Sequence, residues 1–146
     1  MKHTLTLASA LLCVLGFAST AGAYSITLTG DTSGGIVRWG SSSVSYYLHP
    51  DCSVDLPSAT CLNEVRASFD QWSASCSTLE FSDQGYSNTK QLTATGYSGN
   101  GKNELAWIED GQWVYGSYVL GITAPYFSVP SGEISEADIA FNGLQH

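Results

Sequence analysis

The pattern of apolar and polar positions predicts one helix among several strands. Val44-Ser45-Tyr46-Tyr47-Leu48 is β-prone and ends at His49-Pro50, which predicts a strand. Pro57 with Ser58 or Thr60 marks a helix start, and Leu62, Val65, Phe69 and Trp72 then recur at spacings of three, four and three. Glu64, Arg66 and Asp70 fall off that stripe, as expected for an amphipathic helix lying on a sheet, and Ser73-Ala74-Ser75 ends it. Thr78 to Phe81 alternates as a second strand, and a polar, glycine-containing stretch from Asp83 to Lys102 reads as a long loop or weak hairpin.

Asn103 to Glu109 predicts a third strand with Leu105 and Trp107 on one face. Asp110-Gly111 is a two-residue turn signal that leads into Gln112-Trp113-Val114-Tyr115. Val119 to Phe127 is strand-like but interrupted by Gly121 and Pro125, which suits a sheet edge. Ile134 to Phe141 alternates, with Ala137, Ile139 and Phe141 on one face and Glu136 and Asp138 on the other, expected to be the wet one. The order predicts an α/β (α+β) fold, a mixed sheet carrying one long helix.

The N-terminus carries a different signal. A basic start at Met1-Lys2-His3, an apolar run from Leu5 to Ala18 too short to span a bilayer, and Ala21-Gly22-Ala23 predict a cleaved signal peptide over residues 1–23. The expected mature chain, 24–146, is then secreted and holds one domain. The whole chain of 146 residues has five basic and thirteen acidic residues, a formal charge of −8. That balance argues against nucleic acid and anionic membranes as partners, because phosphate binding needs clustered Lys and Arg. Export also makes the cysteines readable. Cys61 and Cys76 flank the predicted helix, roughly 20 Å apart at its rise per residue. A disulfide needs Cα atoms within about 7 Å, so Cys52 with Cys61 is the expected pair and Cys76 is left over.

Chemistry is scarce. Gly30-Asp31-Thr32-Ser33-Gly34-Gly35 superficially matches a serine-protease motif, but it has an inserted Thr and no catalytic His upstream in the mature chain. Gly96-Tyr97-Ser98-Gly99-Asn100 misses G-x-S-x-G at its last position. Glu133, Glu136 and Asp138 are candidate ligands for a hard cation such as calcium, or carboxylates that merely solvate a strand. Only His49 and His146 remain after signal removal, and no H-E-x-x-H occurs.

The order of these segments resembles the opening of matrixin-like metzincin zinc proteases, most nearly secreted bacterial ones. Trp39, Val44 to Leu48, Val65 through Phe69-Asp70-Gln71-Trp72 and Leu79-Glu80-Phe81 carry the first part of the likeness. Asn103 to Trp107, Leu120 to Thr123 and Gly132 to Asn142 carry the rest. The resemblance implies zinc-dependent peptide-bond hydrolysis in a complete member, with polypeptide as substrate. It also implies that Leu120, Gly121, Ile122 and Thr123 form the edge strand to which substrate adds by main-chain hydrogen bonding. The family's H-E-x-x-H-x-x-G-x-x-H segment follows the strand matched by Glu133 to Asn142, and this sequence reaches His146 without it. No zinc ligand or catalytic base therefore carries over, and the chain as given is expected to be inactive. An alternative of another class is a secreted binding module for carbohydrate or protein that uses aromatics such as Trp113, Tyr115 and Tyr126.

Overall fold

A computed structural model describes residues 26–30, 34–74 and 78–144. The predicted signal segment, Asp31 to Ser33 of the protease-like motif, Cys76 and His146 lie outside the described residues. The strands are β1 (Arg38–Trp39), β2 (Ser43–Leu48), β3 (Glu80–Tyr86), β4 (Glu104–Ile108), β5 (Gly121–Phe127) and β6 (Glu133–Asn142). The helix α1 spans Ser58–Ala74, and a short 3-10 turn covers Thr93–Thr95.

The fold is mixed α/β with a mostly parallel sheet. β6, β4, β2 and β3 are successive parallel neighbours, β1 runs parallel beside the start of β6, and β5 pairs antiparallel with β6. β2 and β3 are joined through α1, the connection that parallel neighbours require. One sheet face carries α1. There Tyr46, Leu48 and Leu105 pack with Cys61 and Leu62, and Val65, Phe69, Phe81, Trp107, Ile139 and Phe141 close around them. On the opposite face Ala106, Ile108 and Ala140 meet Leu92 and Ala94 of the segment between β3 and β4. We call these the helix face and the loop face.

Cys52 and Cys61 form the expected disulfide, with Cα atoms 6.2 Å apart. It ties the first turn of α1 to the end of the β2 connection. Trp72, last of the helical stripe, is 68% exposed, because α1 covers only part of the helix face. Beyond it lies an open apolar cavity of about 450 Å³ lined by Trp39, Phe69, Trp72, Phe81, Leu105 and Ile139, among others.

Three expectations need correction. The second strand does not span Thr78–Phe81 but runs from Glu80 to Tyr86, because the β2 ladder recruits Ser82, Asp83 and Tyr86 without help from side-chain alternation. Arg66 of α1 holds that extension, its Nε donating to Asp83 Oδ2 at 2.6 Å. Asp110-Gly111 does not open a hairpin, and Gln112 to Tyr115 is irregular. Both edges of β4 are already taken by β2 and β6, so a returning strand has nothing to pair with.

The third correction matters most. Glu136 and Asp138 are not on a wet face: they are 2% and 1% exposed. The alternation along β6 is real, but its polar side is the covered one and Ala137, Ile139 and Phe141 are only half-buried. Among the described residues no helix is long and apolar enough to cross a membrane.

Candidate functional site

Among the described strands of the sheet β5 alone is antiparallel to its neighbour, and no described strand pairs along its outer side. Asn142 N–H donates to Leu120 C=O at 2.8 Å, which makes Leu120 and Asn142 a hydrogen-bonded pair. Antiparallel ladders alternate, so Ile122 and Ala124 also turn their main-chain groups toward β6, while Gly121, Thr123 and Pro125 turn theirs outward. Pro125, which has no N–H, thus stands where no ladder bond is lost. Gly121 and Thr123 are exposed and Ile122 is half-buried against the loop-face cluster. A Cβ added at Gly121 would meet the Phe141 ring at 3.1 Å and the Ala140 carbonyl at 3.2 Å, so the strand lies close to β6 there. The structure brings Leu120, Gly121, Ile122 and Thr123 together on one open edge.

The loop face holds a second constellation. Glu104 of β4 and Glu136 and Asp138 of β6 are all buried, covered by the segment from Ser87 to Lys102. Asp138 accepts from Thr93 N–H at 2.7 Å and from Glu104 N–H at 2.9 Å, and it shares the single Thr93 hydroxyl proton, at 3.1 Å, with the Ala124 carbonyl at 3.0 Å. Glu104 accepts from the Ser87 hydroxyl and from Asn100 Nδ2 at 2.8 Å. Glu136 Oε2 accepts from Gly101 N–H, and its Oε1 has no hydrogen-bond partner. Burial raises the Glu136 pKa; the Gly101 and Asn100 N–H groups oppose that shift, and Asp138 and Glu104 add to it. The covering segment hangs on carboxylates at both ends and in the middle.

Sequence reasoning singled out Glu136 and Asp138 but placed them in solvent, and it missed Glu104. A signal was present: the segment facing them is rich in Ser, Thr, Asn and Gly, which supply hydroxyl, amide and close backbone donors. Glu133 is separated from the pair: it is exposed and folds against Gly40, where an added Cβ would fall 2.0 Å from its Oε1. Among the described residues no group of three or more His, Cys, Asp or Glu is arranged to hold a metal ion.

His49 is buried at the end of β2. Its Nδ1 accepts from Asp51 N–H at 3.3 Å, and the Asn88 backbone lies near the ring. Burial and the neighbouring Lys90 lower its pKa, with Asp51 opposing. Nδ1 is engaged by the Asp51 N–H, and no second imidazole is among the described residues. These residues do not fit a catalytic zinc, which takes three protein ligands.

The aromatic candidates do not form a flat platform. Trp113 and Tyr115 stand edge-to-face, 5.4 Å apart at 67°, with Trp113 Nε1 bound to Gly116 C=O and the Tyr115 hydroxyl bound to Ala94 C=O. Tyr126 projects separately from β5 and is 60% exposed. Compared with known families, curated proteins and solved structures, the chain matches none.

Proposed function

We propose that this chain is the strand-binding part of a secreted metzincin-like zinc endopeptidase, and that it binds extended polypeptide along β5. The observation that carries this reading is the open antiparallel edge at Gly121 and Thr123 on an otherwise parallel sheet. An extended peptide laid there gains main-chain hydrogen bonds from groups that already point outward. Free edges are ordinarily guarded by charge, yet no charged residue occurs between Asp110 and Glu133. The half-open helix face beside α1 supports the same reading, since it leaves apolar surface at Ala137 and Ile139 that a further segment could cover. In a metzincin the zinc, held by the H-E-x-x-H-x-x-G-x-x-H segment, activates the water that attacks the peptide bond. None of the described residues fits that role, and the contribution proposed for them is to hold and align substrate.

Amide exchange by NMR tests the reading. Titrating the labelled protein with an extended casein-derived peptide should slow exchange at Gly121 and Thr123 and leave α1 unchanged. Thr123→Pro removes one outward N–H. It should weaken the protection at Gly121 while shifting stability by less than about 1 kcal/mol, because the lost donor serves no internal ladder. Unaltered exchange along β5 at saturating peptide would sink the proposal. Protection confined to Trp113 and Tyr115 on titration with oligosaccharide would instead favour the carbohydrate module.

A further inference from the structure

We propose that Glu136 is held as a neutral carboxylic acid beneath the segment from Ser87 to Lys102, and that this lack of charge keeps the segment closed on the sheet. The inference is independent of peptide binding and rests on one enclosed face. Three carboxylates share it, and their donors are unevenly distributed. Each oxygen of Asp138 accepts a backbone N–H and each oxygen of Glu104 accepts a side-chain donor, so both carboxylates are matched. Glu136 has backbone N–H groups on one side and an orphaned Oε1 on the other, in a residue only 2% exposed.

The groups that face Glu136 offer no positive charge. Asp138 comes from its own strand and Glu104 from β4, both negative. From the covering segment come Gly99, Asn100 and Gly101, and a Cβ at Gly99 would lie 2.9 Å from Oε2, so the backbone is pressed against the carboxyl. From β5 the cross-strand partner is Tyr126, a neutral phenol. An unpaired anion enclosed this way is the costly species, and the protonated acid is the cheaper one to bury. A divalent cation is the rival occupant. Calcium takes six to eight oxygens, whereas here the other five carboxylate oxygens already accept N–H or O–H donors.

The linkage has a definite sign. A carboxyl whose folded pKa is raised holds more protons in the folded chain than in the unfolded one. Its contribution is therefore complete below the ordinary value of 4.5 and is lost as pH climbs through the folded value. Across that window the folding constant falls by up to about tenfold per pH unit. Ionisation sets three like charges under one cover, and the covering segment should then open to hydrate them.

The test combines a carbon-detected NMR titration of the Glu136 carboxyl with urea unfolding from about pH 4 to 8. The comparison set is the unaltered protein, Glu136→Gln and, as an exposed control on the same strand, Glu133→Gln. The Glu136 carboxyl should titrate above 4.5, with exchange at Asn100 and Gly101 rising over the same pH range. The Gln variant should lose the pH-dependent fall in stability that the control retains. If Glu136→Gln does not fold, the carboxyl titration of the unaltered protein decides alone. A Glu136 carboxyl titrating at or below the ordinary value would overturn the proposal. So would added calcium that moves the Glu136 resonance and raises stability, since the occupant would then be a cation.

Discussion

The two faces of β6 invert the usual pairing of polarity with exposure. Ala137, Ile139 and Phe141 point to the helix face and stay half-exposed, while Glu136, Asp138 and Asn142 point to the loop face and are buried with Ala140. What differs is the cover, not the strand. α1 lies over β2, β3 and part of β4 and leaves the β6 side of its face open. The segment after β3 folds fully over the other face because the carboxylates there hold its Ser87, Thr93, Asn100 and Gly101. The buried polar face is thus fastened by hydrogen bonds, and the apolar face is closed only as far as one helix reaches.

Adjacent residues of the strand give the sharpest test. Asp138→Ala strands Thr93 N–H and Glu104 N–H in a buried site, while Thr93 Oγ1 keeps the Ala124 carbonyl as acceptor. Each abandoned donor costs about 1–3 kcal/mol, so urea unfolding should report a loss of about 4 kcal/mol. Ile139→Ala, its neighbour on the open face, removes a half-buried side chain and should cost only about 1–2 kcal/mol. Equal losses, or the reverse order, would mean that the carboxylate face does not hold its cover.

Reducing the disulfide probes the helix face alone. Cys52 and Cys61 are nine residues apart, and closing so short a loop contributes about 2–3 kcal/mol through the unfolded chain. Reductant, or Cys52→Ser with Cys61→Ser, should lower stability by that amount. Hydrogen exchange should rise first in the N-terminal turn of α1, with Thr93 and Gly101 still protected. Early loss of protection at Thr93 would show that the two faces open as one unit.

Much of this architecture is legible in the residues. The 3-4-3 spacing of Leu62, Val65, Phe69 and Trp72 marks α1, and alternation marks β4 and β6. Gly121 and Pro125 mark an edge, and β5 is one. The direction of burial was not legible, because alternation separates two faces without saying which one another segment will cover. The donors that make Asp138 stable inside come from Thr93, 45 residues earlier. Nothing local to β6 announces them. Ser82 to Tyr86 likewise joins the sheet through the β2 ladder rather than through any pattern of its own. The candidate edge at Leu120 to Thr123 rests on resemblance, and the uncharged run from Gly111 to Gly132 is independent support in the sequence, with Pro125 the one blunted position of β5.

The smallest expected effect sits where the covering segment begins. His49 ends β2, and its ring reaches the Asn88 backbone. Burial and Lys90 depress its pKa below the ordinary 6.5, so the folded chain binds fewer protons there than the unfolded chain. Its contribution is complete above 6.5 and is lost as pH falls through the folded value, opposite in sign to that of Glu136. The loss should be slight, because a protonated ring forfeits the Asp51 N–H bond but gains the Asp51 carboxylate 3.7 Å away. His49→Gln should flatten this acid-side slope in urea unfolding without altering the slope assigned to Glu136. A variant that changed both slopes together would show that His49 and Glu136 titrate as one coupled unit through the Asn88 to Gly101 cover. The two faces would then be joined at that point rather than held separately.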